Sequence, residues 1–141
     1  MATIEDLQKK YESLSDEQMQ MDSEESIDPS HLLCFEYEYA GQEAEVAIDT
    51  DEFTAGCPWT GLPDFGTLKI TYVPDTQIIE LKSLKYYLLS YRSVGIVQEH
   101  AANRILNDLV ASAKPIRMTV TLDYRVRGGL HTIVTANYER P

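Results

Sequence analysis

Two side chains in one stretch rich in Gly and Pro could act together in catalysis. Cys57 lies between a glycine and a proline, and Asp64 follows seven residues later. A thiol on a constrained loop becomes a nucleophile when its pKa falls below the free value of about 8.5. A carboxyl group that folds back towards the sulfur can protonate the anion formed by its attack. The residues alone leave a second interpretation open, in which Cys57 is a buried structural thiol and Asp64 forms a turn.

Charged groups further along the chain could bind an anion or a polar ring. Glu80, Lys82 and Lys85 surround the start of a predicted helix. Lysines at positions i and i+3 share one helix face and suit phosphates, although a solvated helix edge explains them equally well. Glu99 opens a second predicted helix, where the helix dipole favours a carboxylate. A carboxylate also accepts paired N–H donors, such as those on a guanine-like edge.

The remaining candidate ligands predict no metal site. The three histidines, His31, His100 and His131, lack metal-ligand spacing, and the chain has no CxxC or HExxH pattern. GxGxxG and P-loop motifs are also lacking, so any nucleotide cofactor is expected to bind elsewhere than at a Rossmann or Walker site. Cys34 lies in an alternating stretch and is expected to be a small core residue.

The elements that would position these groups alternate between strand and helix patterns. Alternation predicts strands at 32–39 and 43–49, joined by a turn at Gly41–Gln42, and a third at 67–73 after a loop over 53–66. Two helices are predicted next, and their expected buried faces are Leu81, Leu84, Tyr87, Leu88 and Tyr91 over 81–92, and Ala101, Ile105, Leu109 and Ala113 over 98–113.

Two further strands, at 116–126 and 130–138, are joined by a Gly128–Gly129 hairpin turn. The order predicts an α+β fold in which two helices cover one face of an antiparallel sheet.

Length and charge set the domain organisation. The 141 residues suit one domain, predicted over 31–141, preceded by an acidic tail over 1–30 that is expected to be mobile. Within this tail Ile4, Leu7, Tyr11 and Leu14 have helical spacing, whereas 15–30 resembles solvated linker. The net charge of −11 disfavours stable nucleic-acid binding. No apolar run could span a membrane, no secretion signal is recognisable, and two cysteines suit free thiols, so a cytoplasmic location is expected.

Several motifs in one order are more specific than any single residue. FTAGCPWTGLPDFG, ELKSLKYYLLSYR, GIVQEHAANRILNDL and the RGG turn at 127–129 together resemble the single-module 7-cyano-7-deazaguanine reductases, the QueF family of the tunnelling fold. This resemblance covers about residues 32–140. It implies an oxidoreductase of queuosine biosynthesis that reduces the nitrile 7-cyano-7-deazaguanine to 7-aminomethyl-7-deazaguanine with two NADPH and no metal.

The resemblance also implies roles for individual residues. Cys57 matches the nucleophile that forms a covalent thioimide with the nitrile, and Asp64 matches the acid that protonates its nitrogen. The other matching positions fall into two groups: a substrate-binding group of Ile79, Glu80, Leu81, Gln98 and Glu99, and an NADPH-binding group of Lys82, Lys85, Arg127 and Gly128. Gln98 stands where many members have His, and unlike His it cannot carry a proton.

The family assembly and three rivals complete the expectations. Members form pentameric rings, paired into decamers, with sites at subunit boundaries and a sheet-lined tunnel. The nearest rival is the amidinotransferase of the same fold, which acts on the same nitrile in tRNA without NADPH. A GTP cyclohydrolase would need a zinc site. A non-catalytic purine- or pterin-binding scaffold would keep Glu99 but has no need for Cys57 and Asp64.

Overall fold

A computed structural model describes residues 1–15 and 19–141, apart from the side chain of Ser15. Helices α2 and α3 pack on one face of a four-stranded antiparallel sheet, which confirms the α+β prediction. The elements in chain order are α1 (Ile4–Ser15), β1 (Cys34–Glu36), β2 (Val46–Gly56), β3 (Pro63–Val73), β4 (Gln77–Ile79), α2 (Leu81–Leu89), α3 (Gln98–Ala113), β5 (Arg117–Tyr124) and β6 (Ile133–Glu139).

The main sheet has the strand order β2-β3-β5-β6, and all its pairs are antiparallel. Residues of alternating positions point into the core, as in β3, where Leu68, Ile70 and Tyr72 are buried. Lys69 lies between two of them and is exposed. Successive residues of a strand point to opposite faces, so one face of the sheet is apolar and packs on the helices.

The first predicted hairpin is wrong. Only Cys34–Glu36 of the predicted 32–39 strand is extended, and it pairs with Gln77–Ile79 rather than with the following strand. The backbone N–H of Glu80 donates to the Leu33 carbonyl (2.9 Å) and fixes this pairing. Alternation shows that a segment is half-buried, but it carries no information about which distant strand will be its partner.

The loop that contains Cys57 is shorter than predicted. The 53–66 stretch was expected to be a loop, but β2 continues to Gly56 and β3 begins at Pro63, so only residues 57–62 form the turn. Phe53, Ala55 and Gly56 are buried, and the pairs Gly56↔Pro63 and Ala55↔Asp64 extend the ladder. The ladder therefore overrides the turn-forming composition.

The two helices largely follow their predicted faces. Ala101, Ile105, Leu109 and Ala113 of α3 are all buried, which confirms that stripe. In α2 the α-helix ends at Leu89, and a 3₁₀ turn, Ser90–Ser93, replaces the predicted last turn. Leu81, expected on the buried face, is 60% exposed because it is the first residue of the helix and lies beyond the core.

The N-terminal region contains the helix that its spacing predicts, α1, with an exposed apolar stripe. Two 3₁₀ turns follow the undescribed residues, at Glu24–Ser26 and Pro29–His31. Ile27 is buried in the core, so the interpretation of 15–30 as solvated linker is wrong at this position. The mobility of the tail and its boundary at residue 30 stay predictions. Each helix of the described residues is too short or too polar to cross a bilayer.

Candidate active site

The nucleophile candidate lies at the end of a strand, in a turn fixed by backbone hydrogen bonds. The Cys57 N–H donates to the Leu62 carbonyl (2.9 Å), and the Gly61 N–H donates to the Cys57 carbonyl (2.8 Å). Gly61 has φ +73°, a left-handed conformation that glycine adopts without steric cost. The Cys57 side chain is only 3% exposed, so this short turn holds the thiol in one place.

Strand register brings the carboxylate candidate beside the thiol. Asp64 is the second residue of β3 and pairs with Ala55, two residues before Cys57 in β2. Its side chain is buried and accepts a hydrogen bond from the Arg127 guanidinium. A buried carboxylate is tolerated when it is paired in this way. Two groups suited to attack on a polar multiple bond and to proton transfer therefore lie together.

The guanidinium comes from the hairpin that closes the sheet. Arg127 and Leu130 exchange two backbone hydrogen bonds of 2.9 Å, and Gly128 and Gly129 between them have φ +58° and +78°. The hairpin turn predicted at Gly128–Gly129 is thus confirmed. It holds Arg127 at the cavity that Cys57 also lines.

The surroundings of Cys57 favour its thiolate. Burial raises the pKa of the thiol, but hydrogen bonds from the Thr60 hydroxyl, the Thr60 and Trp59 backbone and the Arg127 guanidinium outweigh burial and lower the pKa to about 7. Near neutral pH about half the thiol is then ionised, which is the nucleophilic form. Thr60 belongs to the FTAGCPWTGLPDFG motif, but the sequence analysis gave it no role. Its position three residues after Cys57 was the available signal.

One cavity of about 290 Å³ is lined by five of the eleven candidate site residues. Its lining is Cys57, Pro58, Trp59, Asp64, Val97, Gln98, Glu99, Arg127, Leu130 and Thr132. Glu99 is exposed in the first turn of α3, and the Gln98 carbonyl accepts a hydrogen bond from the Tyr124 hydroxyl (3.3 Å). The cavity thus joins a thiol, a buried carboxyl group, an indole ring and the exposed residue Glu99. Sequence reasoning gave no role to Trp59, Val97, Leu130 or Thr132.

The remaining candidates lie outside this cavity. The Ile79 side chain is buried in the core, and Gly128 is exposed in the hairpin turn. Glu80 and Lys82 line a cavity of about 370 Å³, whereas Leu81 and Lys85 line an apolar one of about 360 Å³ between β2 and α2. One chain therefore divides the predicted binding residues among separate surfaces.

Glu80 has a structural role at the start of α2. Its carboxylate accepts hydrogen bonds from the backbone N–H groups of Lys82 (2.9 Å) and Ser83 (2.7 Å). These bonds lower the pKa of Glu80 and cap the helix. Lys82 and Lys85 extend from the same helix, and within the described residues neither ammonium group belongs to a salt bridge. They present positive charge to solvent.

No metal centre is evident in the part of the chain that the structure describes. Among residues 1–15 and 19–141, no three side chains of His, Cys, Asp or Glu converge as a metal site would require. His100 faces Glu24 (3.8 Å) and His131 faces Asp123 (2.6 Å), so these two imidazoles belong to surface pairs.

The structure is an α+β fold in which a thiol and a carboxylate line one cavity. The family model described as QueF-like protein matches residues 63–141, more than half of the chain, and the chain belongs to this family. The family predicted from the motifs is thereby confirmed.

Curated relatives share one printed name, NADPH-dependent 7-cyano-7-deazaguanine reductase. The relative from Caldanaerobacter subterraneus subsp. tengcongensis is 52% identical over 116 residues, which are 82% of this chain and 87% of the relative. The relative from Thermomicrobium roseum is 58% identical over 99 residues, 70% of this chain and 77% of the relative.

Among solved structures, the archaeosine synthase QueF-Like in its apo form is similar in fold. Its TM-score is 0.63 at 23% identity, over 68% of this chain and 94% of the other. This likeness supports the fold prediction and carries no information about the reaction.

Proposed function

We propose that this chain is an NADPH-dependent reductase that converts 7-cyano-7-deazaguanine to 7-aminomethyl-7-deazaguanine. The relatives that are about half identical over most of the chain bear the name of that activity. The observation that carries the proposal is the cavity in which Cys57, with a pKa lowered to about 7, lies beside the buried Asp64. A nitrile carbon is an electrophile, and a thiolate with a proton source is the pair that activates it.

The covalent step is assigned to these two side chains. The Cys57 sulfur forms a bond to the nitrile carbon, while one π pair of the C≡N bond moves to nitrogen. Asp64 takes the thiol proton, which leaves Cys57 as the attacking thiolate, and delivers this proton to that nitrogen. The product is a thioimide, and the carboxylate is regenerated without net change in protons. A proton transfer of this kind contributes about 10² to 10⁴ in rate.

Substrate reading is assigned to the other side of the cavity. Glu99 is the carboxylate that accepts the N–H donors of the guanine-like edge, and Gln98 lies beside it. Gln98 can hydrogen-bond the base but cannot transfer a proton. Proton transfer to the substrate is therefore assigned to Asp64. Ile79, Glu80 and Leu81 are the further substrate-lining positions that the family resemblance implies.

When bound, NADPH would supply the two hydrides that reduction of the nitrile carbon to an amine requires. The residues proposed to hold it are Lys82, Lys85, Arg127 and Gly128. Lys82 and Lys85 are exposed, and among the described residues neither forms a salt bridge, so their charge fits the phosphates of NADPH. Within one chain these lysines and Cys57 line different cavities. The complete site is therefore proposed to combine residues of two subunits.

A ring assembly supplies that second subunit. In the described sheet, β2 and β6 are the outer strands, and pairing them between copies would remove both open edges. We propose pentameric rings that pair into a decamer, with the active sites at subunit boundaries and the sheets around a tunnel.

Mixing two inactive variants tests the shared site. Cys57→Ala lacks the nucleophile, and Lys82→Ala with Lys85→Ala lacks the cofactor cations. After co-refolding, mixed rings contain some boundaries with an intact Cys57 and intact lysines, so NADPH oxidation with the nitrile returns to about a quarter of the wild-type rate. In the control, Cys57→Ala is mixed with Asp64→Asn. Both lesions lie on the same side of the boundary, so no boundary is intact and the mixture does not exceed the rate of Asp64→Asn alone. Failure of the first mixture to regain any activity would contradict the shared site.

The amidinotransferase reading has a specific discriminator. Such an enzyme would form the same thioimide but consume no NADPH. A net charge of −11 disfavours holding tRNA, since phosphate neutralisation dominates that affinity. The scaffold reading fails if the nitrile forms a covalent adduct with Cys57.

A further inference from the structure

A segment of the N-terminal region, residues 19–22, lies against the turn that carries Cys57. We call it the strap. The Met19 N–H donates to the Thr60 carbonyl (3.0 Å), inside the turn itself. At the other end, the Asp22 N–H donates to the Ser93 carbonyl (2.7 Å) and the Asp22 carbonyl accepts from the Gly95 N–H (2.9 Å). The strap is therefore tied to two segments that flank the cavity.

Three glycines make room for the strap. A Cβ atom at Gly56 would overlap Met21 Cε, and one at Gly61 would overlap the Met19 carbonyl oxygen. A Cβ at Gly95 would lie 3.2 Å from Met21 Cβ. Glycine is a packing requirement at Gly61, where the strap approaches with its backbone, whereas at Gly56 it approaches with the flexible end of the Met21 side chain. The turn and the strap are thus fitted to each other at several points rather than joined by one hydrogen bond.

The strap is connected to Cys57 through two nearby residues, Gly56 and Thr60. Gly56, directly before Cys57, bonds residues 93–96 through its N–H to the Val94 carbonyl (2.9 Å) and its carbonyl to the Ile96 N–H (3.0 Å). Thr60, directly bonded by the strap, lowers the pKa of the Cys57 thiol through both its hydroxyl and its backbone. The strap therefore holds Thr60, one of the residues that stabilise the Cys57 thiolate.

We propose that the strap is a positioning element for the nucleophile: residues 19–22 hold the 57–62 turn so that Thr60 donates to Cys57. Met19 and Met21 do not line the catalytic cavity and act only through the turn. The importance of Cys57 rests on the proposed function, whereas the geometric effect of the strap on its thiol does not.

The charged groups around the thiol come from other elements and remain in place when the strap is loosened. Asp64 on β3, Arg127 in the hairpin and Glu99 on α3 share its cavity. On the strap side, Asp22 is exposed, and Glu24 pairs with His100 (3.8 Å). A change in the pKa of Cys57 after a strap substitution therefore reports the Thr60 donors.

The test compares Met19→Pro with Met19→Ala in a Cys34→Ala background, where Cys57 is the one remaining thiol. Proline removes the N–H that bonds Thr60, and alanine retains it. Iodoacetamide alkylation of Cys57 is followed across pH 5.5–9.5. Met19→Pro is expected to move the half-maximal pH upward and to slow alkylation at pH 7 about fivefold, with kcat reduced more than KM; Met19→Ala keeps the original profile.

Met21→Ala is the second variant and leaves every backbone donor intact. It removes the thioether from Gly56 but keeps the Cβ that lies against Gly95, and is expected to shift the profile in the same direction by a smaller amount. Profiles of Met19→Pro and Met21→Ala that coincide with Met19→Ala would overturn the proposal; should Met19→Pro not fold, Met21→Ala decides alone. A shifted profile in a chain whose wild type does not oxidise NADPH would leave the strap established and reject the proposed function.

Discussion

The Arg127 guanidinium hydrogen-bonds the buried Asp64 carboxylate, 63 residues away in the chain, and favours the thiolate of Cys57 in the same cavity. The bond to Asp64 is the largest contribution that raises the pKa of Arg127. A single cation therefore connects the proposed nucleophile with the proposed proton carrier. The family resemblance implies a cofactor contact for Arg127, and the structure adds a position inside the catalytic cavity.

Arg127→Ala is expected to raise the pKa of Cys57 above about 7, because the cation and its hydrogen bond favour the thiolate. Alkylation by iodoacetamide at pH 7 then slows about fivefold, and its half-maximal pH moves upward. Arg125→Ala is the matched control, because Arg125 lies two residues earlier and contacts Thr67 (3.3 Å) instead. An unchanged or downward-shifted profile in Arg127→Ala would contradict this arrangement.

Cys57→Ala is expected to abolish the covalent adduct and to reduce turnover by about a thousandfold or more, since the bond-forming atom is missing. Intact-mass measurement after incubation with the nitrile, together with NADPH oxidation, checks both effects. Cys34→Ala is the control: its sulfur lies beside Ser112 Oγ (3.4 Å), outside the cavity, and its loss leaves adduct and turnover intact. Full activity of Cys57→Ala would remove the thioimide from the account.

Asp64→Asn is expected to slow adduct formation with the nitrile by about a hundredfold while the substrate still binds. Removing a negative charge does not disfavour the thiolate, so alkylation by iodoacetamide is not slowed. The two reactions thus separate proton delivery from damage to the thiol. Stopped-flow absorbance of the adduct and the alkylation rate supply the comparison. Equal slowing of both reactions would speak against Asp64 as the proton carrier.

Glu99→Gln is expected to weaken nitrile binding about tenfold to a hundredfold, because an amide cannot accept paired N–H donors as a carboxylate does. Titration calorimetry in the Cys57→Ala background measures the affinity without covalent capture. His100→Gln serves as control, since His100 faces Glu24 rather than the cavity. If Glu99→Gln retains the affinity of its parent, another group reads the base.

Local signals were sufficient where neighbours in sequence determine the structure. The α3 stripe of Ala101, Ile105 and Leu109 follows from helical spacing, and the Gly128–Gly129 turn follows from the need for positive φ at both positions. These are short-range properties.

Long-range pairing was not predictable from the same patterns. The partner of Cys34–Glu36, the short 57–62 turn and the buried Ile27 all depend on residues far away in the chain. Likewise, Asp64 lies beside Cys57 because of the β2–β3 register, which sequence spacing permits but does not require. Thr60 and the strap were missed for this reason: their effect on Cys57 exists only once the glycines let the backbones approach.

The most direct test of the reductase assignment is the number of NADPH molecules oxidised per molecule of 7-cyano-7-deazaguanine consumed. Reduction of a nitrile to a primary amine takes two hydrides, so the expected ratio is two, with 7-aminomethyl-7-deazaguanine as the product by mass. A covalent adduct on Cys57 formed without any NADPH oxidation would contradict the account and favour the amidinotransferase.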